Sequence, residues 1–542
     1  MSNIEEIEIK NIDHLGIVAG IIDSIGLVEI INKYCGSEPG EKISSGQVVK
    51  AMILNGLGFV SSPLYLFSEF FQDKPCEYLI GKGVKAEYLN DDKLGRVMDK
   101  LFIKGLTEIF LAISINVKTQ FDISSKSSHL DSSSLHLHGE YNNNLPSVTF
   151  GNLNENDERN SPQAIEITHG YSRDHRPDLK QFIIELISSG DGDIPIFFEA
   201  ASGNQSDSSN FPKIFLEYKD KIKEPDSLMV ADAALYSAKN VNLLSGMKWL
   251  CRVPLTIGIA KDKVSTLLST DFITSCLPGY YYCSRTVNYG GIEQRWLIVE
   301  SSERKKSDLR QLEKRISKSK INVSNQFKKL LNSKFMSQQE AIKSVDNLNK
   351  KLKYHQIDRV EYNTTKSKNK PDQNTFYQVN ALISENITAI KIAYNSAGRF
   401  VLATNILEEE SLSNDEMLSE YKAQQSCERG FGFIKDPLFF ADSLFLKSPE
   451  RIQAMAMIMG LCLLVYTLAQ RQIRKALSTS KSTIRNQLGK AINNPTMRLI
   501  FQRFQSIHFV KLHSEISISN LNLEREYILS FLPDECRYYY KL

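Results

Sequence analysis

The sequence predicts an α/β protein: a layered catalytic-type domain preceded by an all-α N-terminal region and interrupted by a long insertion. Three observations carry this. Apolar residues recur at three- and four-residue spacing through residues 1–120. Short strand-like runs then alternate with helical ones as far as 254, the pattern of a layered α/β domain. Residues 255–400 break that alternation with a hairpin and a strongly basic helical stretch.

In chain order, Gly16–Gly26, Ser45–Phe59 and Leu94–Ile115 read as helices, with Ser44-Ser45 as an N-cap before Gly46-Gln47-Val48. Short helices with tight turns suit a helix-turn-helix DNA-binding module, and equally any small helical bundle. After the polar stretch 120–128, Ser128–Leu137 partly alternates and reads as a strand. Ala164–His169, Gln181–Ile187 and Ile194–Ala200 follow as strands, the last two joined through Gly190-Asp-Gly192-Asp, a hairpin signal. A helix over 207–223 leads to the buried strand Leu228–Ala234 and then to Lys248–Val253. In the insertion, Tyr280–Glu300 reads as a hairpin turning at Asn288-Tyr-Gly-Gly291. Residues 303–355 lack Pro and Gly and read as a helical hairpin with Leu309, Leu312, Ile316, Leu330 and Leu331 on one face. Lys366–Gln373 reads as a loop, and Phe376–Ile390 and Arg399–Thr404 as strands. From about 413 the chain reads as helix to its end. The expected domains are 1–120 (helical, DNA-binding), 121–254 (first part of the catalytic domain), 255–400 (insertion) and 401–542 (second part and C-terminal helices).

Charge is unevenly placed. Residues 303–370 hold 19 Lys/Arg against 7 Asp/Glu, a surplus of 12, so with a net charge of +3 the rest of the chain carries −9. One basic segment in a mildly acidic chain suggests a local polyanion contact, the alternative being a solvated helical hairpin. The 8 cysteines contain no C-x-x-C, which removes a zinc ribbon or redox pair and fits free thiols in a reducing cytosol. An acidic N-terminus argues against a signal peptide. The uncharged run Ile452–Ala469 reaches the lower length of a bilayer span, but a helix buried in a large domain accounts for it better, so no membrane is expected. P-loop, dinucleotide and H-E-x-x-H motifs are absent.

Three acids are placed suggestively: Asp131 in a strand, Asp232 ending a buried strand, and Glu428 on a helix. A buried acid is costly unless it is paired or binds metal. Three converging carboxylates can hold two divalent cations for phosphodiester chemistry.

Around these acids the residues resemble a known group. Tyr421-x-x-Gln424-x-x-x-Glu428-x-x-x-x-x-x-Lys435 resembles the Y-(2)-R-(3)-E-(6)-K signature of bacterial insertion-sequence transposases of the DDE, RNase-H-like superfamily, with Gln424 at the Arg position. His129-Leu-Asp131-Ser-Ser-Ser resembles the first-Asp block, and Met229-Val-Ala-Asp232-Ala-Ala-Leu-Tyr236 the second. His169-Gly-Tyr-Ser-Arg-Asp-His-Arg-Pro-Asp178 resembles a block between them. The likeness implies an RNase-H-like catalytic domain whose Asp131, Asp232 and Glu428 are catalytic and hold two Mg²⁺ ions, with Mn²⁺ able to substitute. It implies binding to the terminal inverted repeats of the element, metal-dependent cleavage and strand transfer into target DNA, and a homodimer assembled on DNA. It also implies a bacterial, cytoplasmic protein that is nucleoid-associated when bound to DNA. The alternative is a catalytically inactive DNA-binding protein of transposase descent.

Expected DNA contacts are Tyr421, Gln424 and Lys435 on the Glu428 helix, Arg173, His175 and Arg176 in the middle block, and Lys305 and Lys306 in the insertion. Trp296 is a candidate platform for a flipped base, or else a core residue. His136-x-His138 would share one side of a strand and offers a weaker metal-pair alternative.

Overall fold

The structure is a computed structural model and describes residues 7–59, 66–139, 141, 162–222, 226–366, 375–436, 446–512 and 515–541. The chain forms two compact units, Met1–Trp249 with Glu420–Leu542, and Leu250–Ser419.

The first unit is built on four strands in the order β4-β3-β2-β5: β2 (Ser127–Leu137), β3 (Lys180–Ser189), β4 (Pro195–Ser202) and β5 (Leu228–Ala231). β2–β3 and β3–β4 are antiparallel, and β5 runs parallel to β2. A parallel neighbour requires a crossover, which the helix Asp207–Ile222 supplies. The β3–β4 turn takes left-handed backbone at Gly192 (φ 88°) and Asp193 (φ 61°), as the Gly-Asp-Gly-Asp sequence anticipates. β3 is buried on both faces, which explains its nearly unbroken apolar run. Its exception is Glu185, directly opposite Glu199 on β4. Burial and the facing Glu199 push the Glu185 carboxyl up to about 8, against the hydrogen bond it accepts from Asn210.

The helix Pro449–Thr479 runs through this unit. It is long and apolar enough to cross a membrane, but 94% of its apolar window is buried inside the protein. A side chain at Gly460 would meet Phe110 at 3.1 Å and Phe198 at 3.3 Å, so glycine lets the N-terminal helices and β4 close on the same turn. The described helices before residue 120 therefore pack into one core with the strands rather than forming a core of their own. Ser44 closes a capping box with Gln47 at the head of the helix Ser45–Gly56. That helix is buried at every position but Gln47, which leaves it no face for a DNA groove. The expected helix over 94–115 is two, Asp91–Lys104 and Leu106–Gln120, divided at Gly105 (φ 88°).

Other expectations also need correction. Ala164–His169 is no strand; only Thr168 bridges to Gln181. The N-terminal region is not all helical: β1 (Ile7–Asn11) pairs with His508–Leu512, which pairs with Glu515–Ser519. The chain after 413 is accordingly not helical throughout. Alternation in Ile7-Glu-Ile9 and in Ile516-Ser-Ile518 is the strand signal, in runs too short to outweigh the helices around them.

In the second unit, Trp249–Val253, Arg399–Thr404, Ile292–Ser301, Tyr280–Tyr289 and Ile273–Thr274 lie in that order, antiparallel throughout. The basic segment is the helix Ser302–Asn332 followed by Gln338–Lys351. Phe327, Leu330, Ala341 and Val345 from these helices pack on Ile357, Val379 and Ala381 of the hairpin His355–Lys366/Thr375–Glu385. That hairpin ends at Glu385; Asn386 then caps the helix Ile387–Ser396, so the strand expected to 390 is shorter. Most of the loop expected at 366–373 lies outside the described residues.

The C-terminus is tied to the helix Leu15–Ile25. Tyr540 Oη donates to the Asp13 carbonyl, and Lys50, 3% exposed, bonds both Asp23 and Tyr539 Oη. A Cβ on Gly20 would lie 2.4 Å from the Cys536 Cα. Gly20→Ala must push two backbones apart and should destabilise the protein by about 1–3 kcal/mol, read as a lowered thermal unfolding midpoint; an unchanged midpoint would show that this contact is not tight.

Candidate active site

β2 and β5 run parallel with Leu130 opposite Ala231 as the last paired residues. Asp131 and Asp232 are the next residue on each strand, so the register sets the first two acids side by side. Each carboxylate turns back on its own chain: Ser132 N–H donates to Asp131 Oδ1 (2.8 Å) and Ala234 N–H to Asp232 Oδ1 (2.8 Å).

Glu428 arrives on the helix Gln425–Ile434, docked on β2 immediately before Asp131. Gln424 Nε2 donates to the Leu130 carbonyl (3.3 Å), Cys427 Sγ lies 3.4 Å from the His129 carbonyl, and Glu420 Oε2 lies 3.4 Å from Nε2 of the fully buried His129. Glu420 lies on the preceding helix Asn414–Ala423 and Gln424 joins it to the Glu428 helix, so the single helix expected to carry Tyr421, Gln424 and Glu428 is two, broken at Gln424. Glu420 is held below the usual carboxylate range, chiefly by its hydrogen bond with His129.

Asp131 feels the other two acids. Asp131 is pushed up to about 7, first by burial and then by the charges of Asp232 and Glu428, while the Ser132 N–H and the Arg173 guanidinium pull the other way. Asp131 and Asp232 are partly buried and Glu428 is exposed. As the side chains stand, no three His, Cys, Asp or Glu among the described residues lie close enough to share a metal ion. The donor chemistry nonetheless fits a divalent cation: one carboxylate within β2, one just past the end of the neighbouring β5, a third on the docked helix, and a desolvated charge with too little positive compensation.

The middle block lies against this site. Arg173 donates to Ser132 Oγ (2.6 Å) and to Asp207, with Nη1 3.8 Å from Asp131 Oδ1. Lys435 Nζ lies 2.7 Å from Asp174 Oδ2, and His136 Nδ1 3.4 Å from the same oxygen. Arg176 is exposed and paired with Asp178, and His175 is exposed at φ 58°. A cavity of about 300 Å³ beside Arg173 is lined by Ser134, Tyr171, Ile183, Asp207 and Ala234.

Several expected contacts sit elsewhere. Trp296 is corrected: it is 0% exposed, its indole N–H donates to Gln294 Oε1 (3.1 Å), and no base can stack on it. Gln424, 8% exposed, uses its amide on Leu130 and offers nothing to a phosphate. Lys305 is taken by Glu300 (2.7 Å), whereas Lys306 is exposed. His136 bonds Ser172 and faces Asp174 while His138 is exposed, so the pair holds no common ion here. Tyr421 is half-buried. Sequence reasoning passed over Glu420, Asp174 and Asp207. The four-residue spacing from Glu420 through Gln424 to Glu428 was the available signal for the first.

A family model described as a domain of unknown function (DUF4277) matches residues 7–115. No curated protein matches the sequence. Among solved structures, the chain is similar to the cryo-EM structure of a piggyBac transposase synaptic complex with hairpin DNA. Identity is 9%, with 97% of this chain and 81% of that chain covered, at a TM-score of 0.38, too low for a common fold to be inferred.

The raised Asp131 pKa sets a pH dependence. The folded protein holds a proton there that the unfolded chain releases near pH 4, so stability falls as pH rises from about 4 to about 7. In buffer containing chelator, Asp131→Asn should match wild type at pH 4 and be more stable by up to roughly 4 kcal/mol above pH 7; a pH-independent difference in thermal unfolding would remove the buried-charge account.

Proposed function

We propose that this chain is a DDE transposase with an RNase-H-like catalytic domain, acting on the terminal inverted repeats of its own element. The observation that carries the reading is the parallel β2–β5 register that puts Asp131 beside Asp232, with the Glu428 helix docked on the same stretch of β2. The four sequence blocks point to these same acids, in the same order.

In this reading Asp131, Asp232 and Glu428 would hold two Mg²⁺ ions, replaceable by Mn²⁺, which when bound supply an activated water or 3′-hydroxyl and stabilise the leaving oxygen. The chain's own residues do the rest. Ser132 N–H and Ala234 N–H fix the two Asp carboxylates, and the Leu130 and His129 contacts fix the helix that carries Glu428. Lys435, at the end of the Glu428 helix, and Tyr421, on the helix before it, would grip the backbone beside the scissile phosphate. In the second unit the exposed Lys314, Arg315 and Lys318 give the helix Ser302–Asn332 a basic face for DNA backbone, with the exposed Lys306 about two turns before Lys314. Cleavage at both ends of an element calls for two copies of the site, hence a dimer assembled on DNA.

The test is excision in cells of a marker flanked by the inverted repeats that border this gene. Wild type should excise it, and Asp131→Asn, Asp232→Asn and Glu428→Gln should each reduce excision at least about 1,000-fold while leaving repeat binding intact. Wild-type excision by any one variant would remove that residue from the mechanism; repeat binding without excision by wild type would make this an inactive DNA-binding protein. Replacing Lys306, Lys314 and Arg315 with Ala should lower non-specific DNA affinity and flatten its salt dependence by about two to three ions. An unchanged slope in a binding titration would make that face merely solvated.

A further inference from the structure

Two neighbouring residues of opposite charge reach from one loop into the candidate site. Arg173 lies against Asp131, Ser132 and Asp207, where an external cation would be drawn. Asp174 places a carboxylate oxygen 2.7 Å from Lys435 Nζ and 3.4 Å from His136 Nδ1, where an external anion would be drawn. The basic groups are the more buried partners: side-chain exposure is 11% for His136 and 26% for Lys435, against 46% for Asp174. The anion-binding wall thus belongs to β2 and to the residue that closes the Glu428 helix, and the carboxylate is laid on it from outside. Ser172 ties the loop to the same wall, bonding His136 Nε2 (2.9 Å) and accepting from the Arg176 N–H (2.7 Å).

We propose that the Asp174 carboxylate is an internal stand-in for a DNA phosphate, occupying a subsite built by Lys435 and His136 until nucleic acid displaces it. This rests on the DNA-processing reading above. Lys435 follows Glu428 by seven residues, about two helical turns or roughly 10 Å along the axis, so the subsite would hold backbone to one side of the reacting phosphate. The exchange is physically easy. An ion pair this exposed is weak, and a phosphate entering the same place releases counterions that the carboxylate does not. Before DNA arrives, the carboxylate keeps Lys435 compensated and leaves no bare cation beside the acids.

The experiment is fluorescence anisotropy of a labelled duplex against the full-length protein over a range of KCl concentrations, with circular dichroism melts to confirm that each variant is folded. Asp174→Asn should bind about 3–5-fold more tightly than wild type, Asp174→Glu should match wild type, and Asp174→Asn in a Lys435→Gln background should show no gain. Unchanged or weaker binding by Asp174→Asn would overturn the proposal, as would a gain that persists without Lys435, which marks a general charge effect. If neither wild type nor Asp174→Asn binds duplex DNA, the DNA-processing reading falls as well; if wild type binds and Asp174→Asn gains nothing, only the stand-in falls. Should Asp174→Asn fail to fold, Asp174→Ser serves the same comparison.

Discussion

Placing two carboxylates side by side, one within β2 and one just past the end of the parallel β5, is the constraint on which the first unit turns. Burial first, and then the like charges of Asp232 and Glu428, push the Asp131 carboxyl up to about 7. Much of the surrounding structure manages that charge. Backbone N–H groups of Ser132 and Ala234 point at the two carboxylates, Arg173 stands nearby, and Asp207 in turn restrains Arg173. The crossover helix Asp207–Ile222 makes the parallel pairing possible and supplies Asp207 from its first residue.

The third acid is delivered differently. Glu428 sits on a helix whose approach is set by contacts to main-chain atoms of β2, through Gln424 and Cys427, and by the pairing of Glu420 with a buried histidine. Carbonyls are fixed landmarks, so a helix held on them is placed relative to the strand rather than to a movable side chain. Gln424 serves that docking. Lys435, farther along, balances a carboxylate of the middle block. Gln424 and Cys427 therefore hold the helix in place, while Lys435 faces the middle block.

What could be read in advance followed from local chemistry. Gly190-Asp-Gly-Asp gave the β3–β4 turn, Ser44 with Gln47 the helix cap, and the ordered acidic blocks the residues that the β2–β5 register brings together. What escaped was non-local. No pattern within residues 1–120 shows that their helices share a core with Pro449–Thr479, because that depends on Gly460 meeting Phe110 and Phe198. β1 was hidden because its partner lies about 500 residues away. Trp296 was ambiguous for the same reason: burial is decided by which strands flank it, Tyr280–Tyr289 on one side and Arg399–Thr404 on the other.

The central claim is that Asp131, Asp232 and Glu428 form one cation site. Calorimetric titration of Mn²⁺ into the full-length protein with duplex DNA present tests it most directly. Two bound ions are predicted for wild type, with affinity reduced at least about tenfold in each of Asp131→Asn, Asp232→Asn and Glu428→Gln. The same stoichiometry and affinity in all three variants would contradict the account.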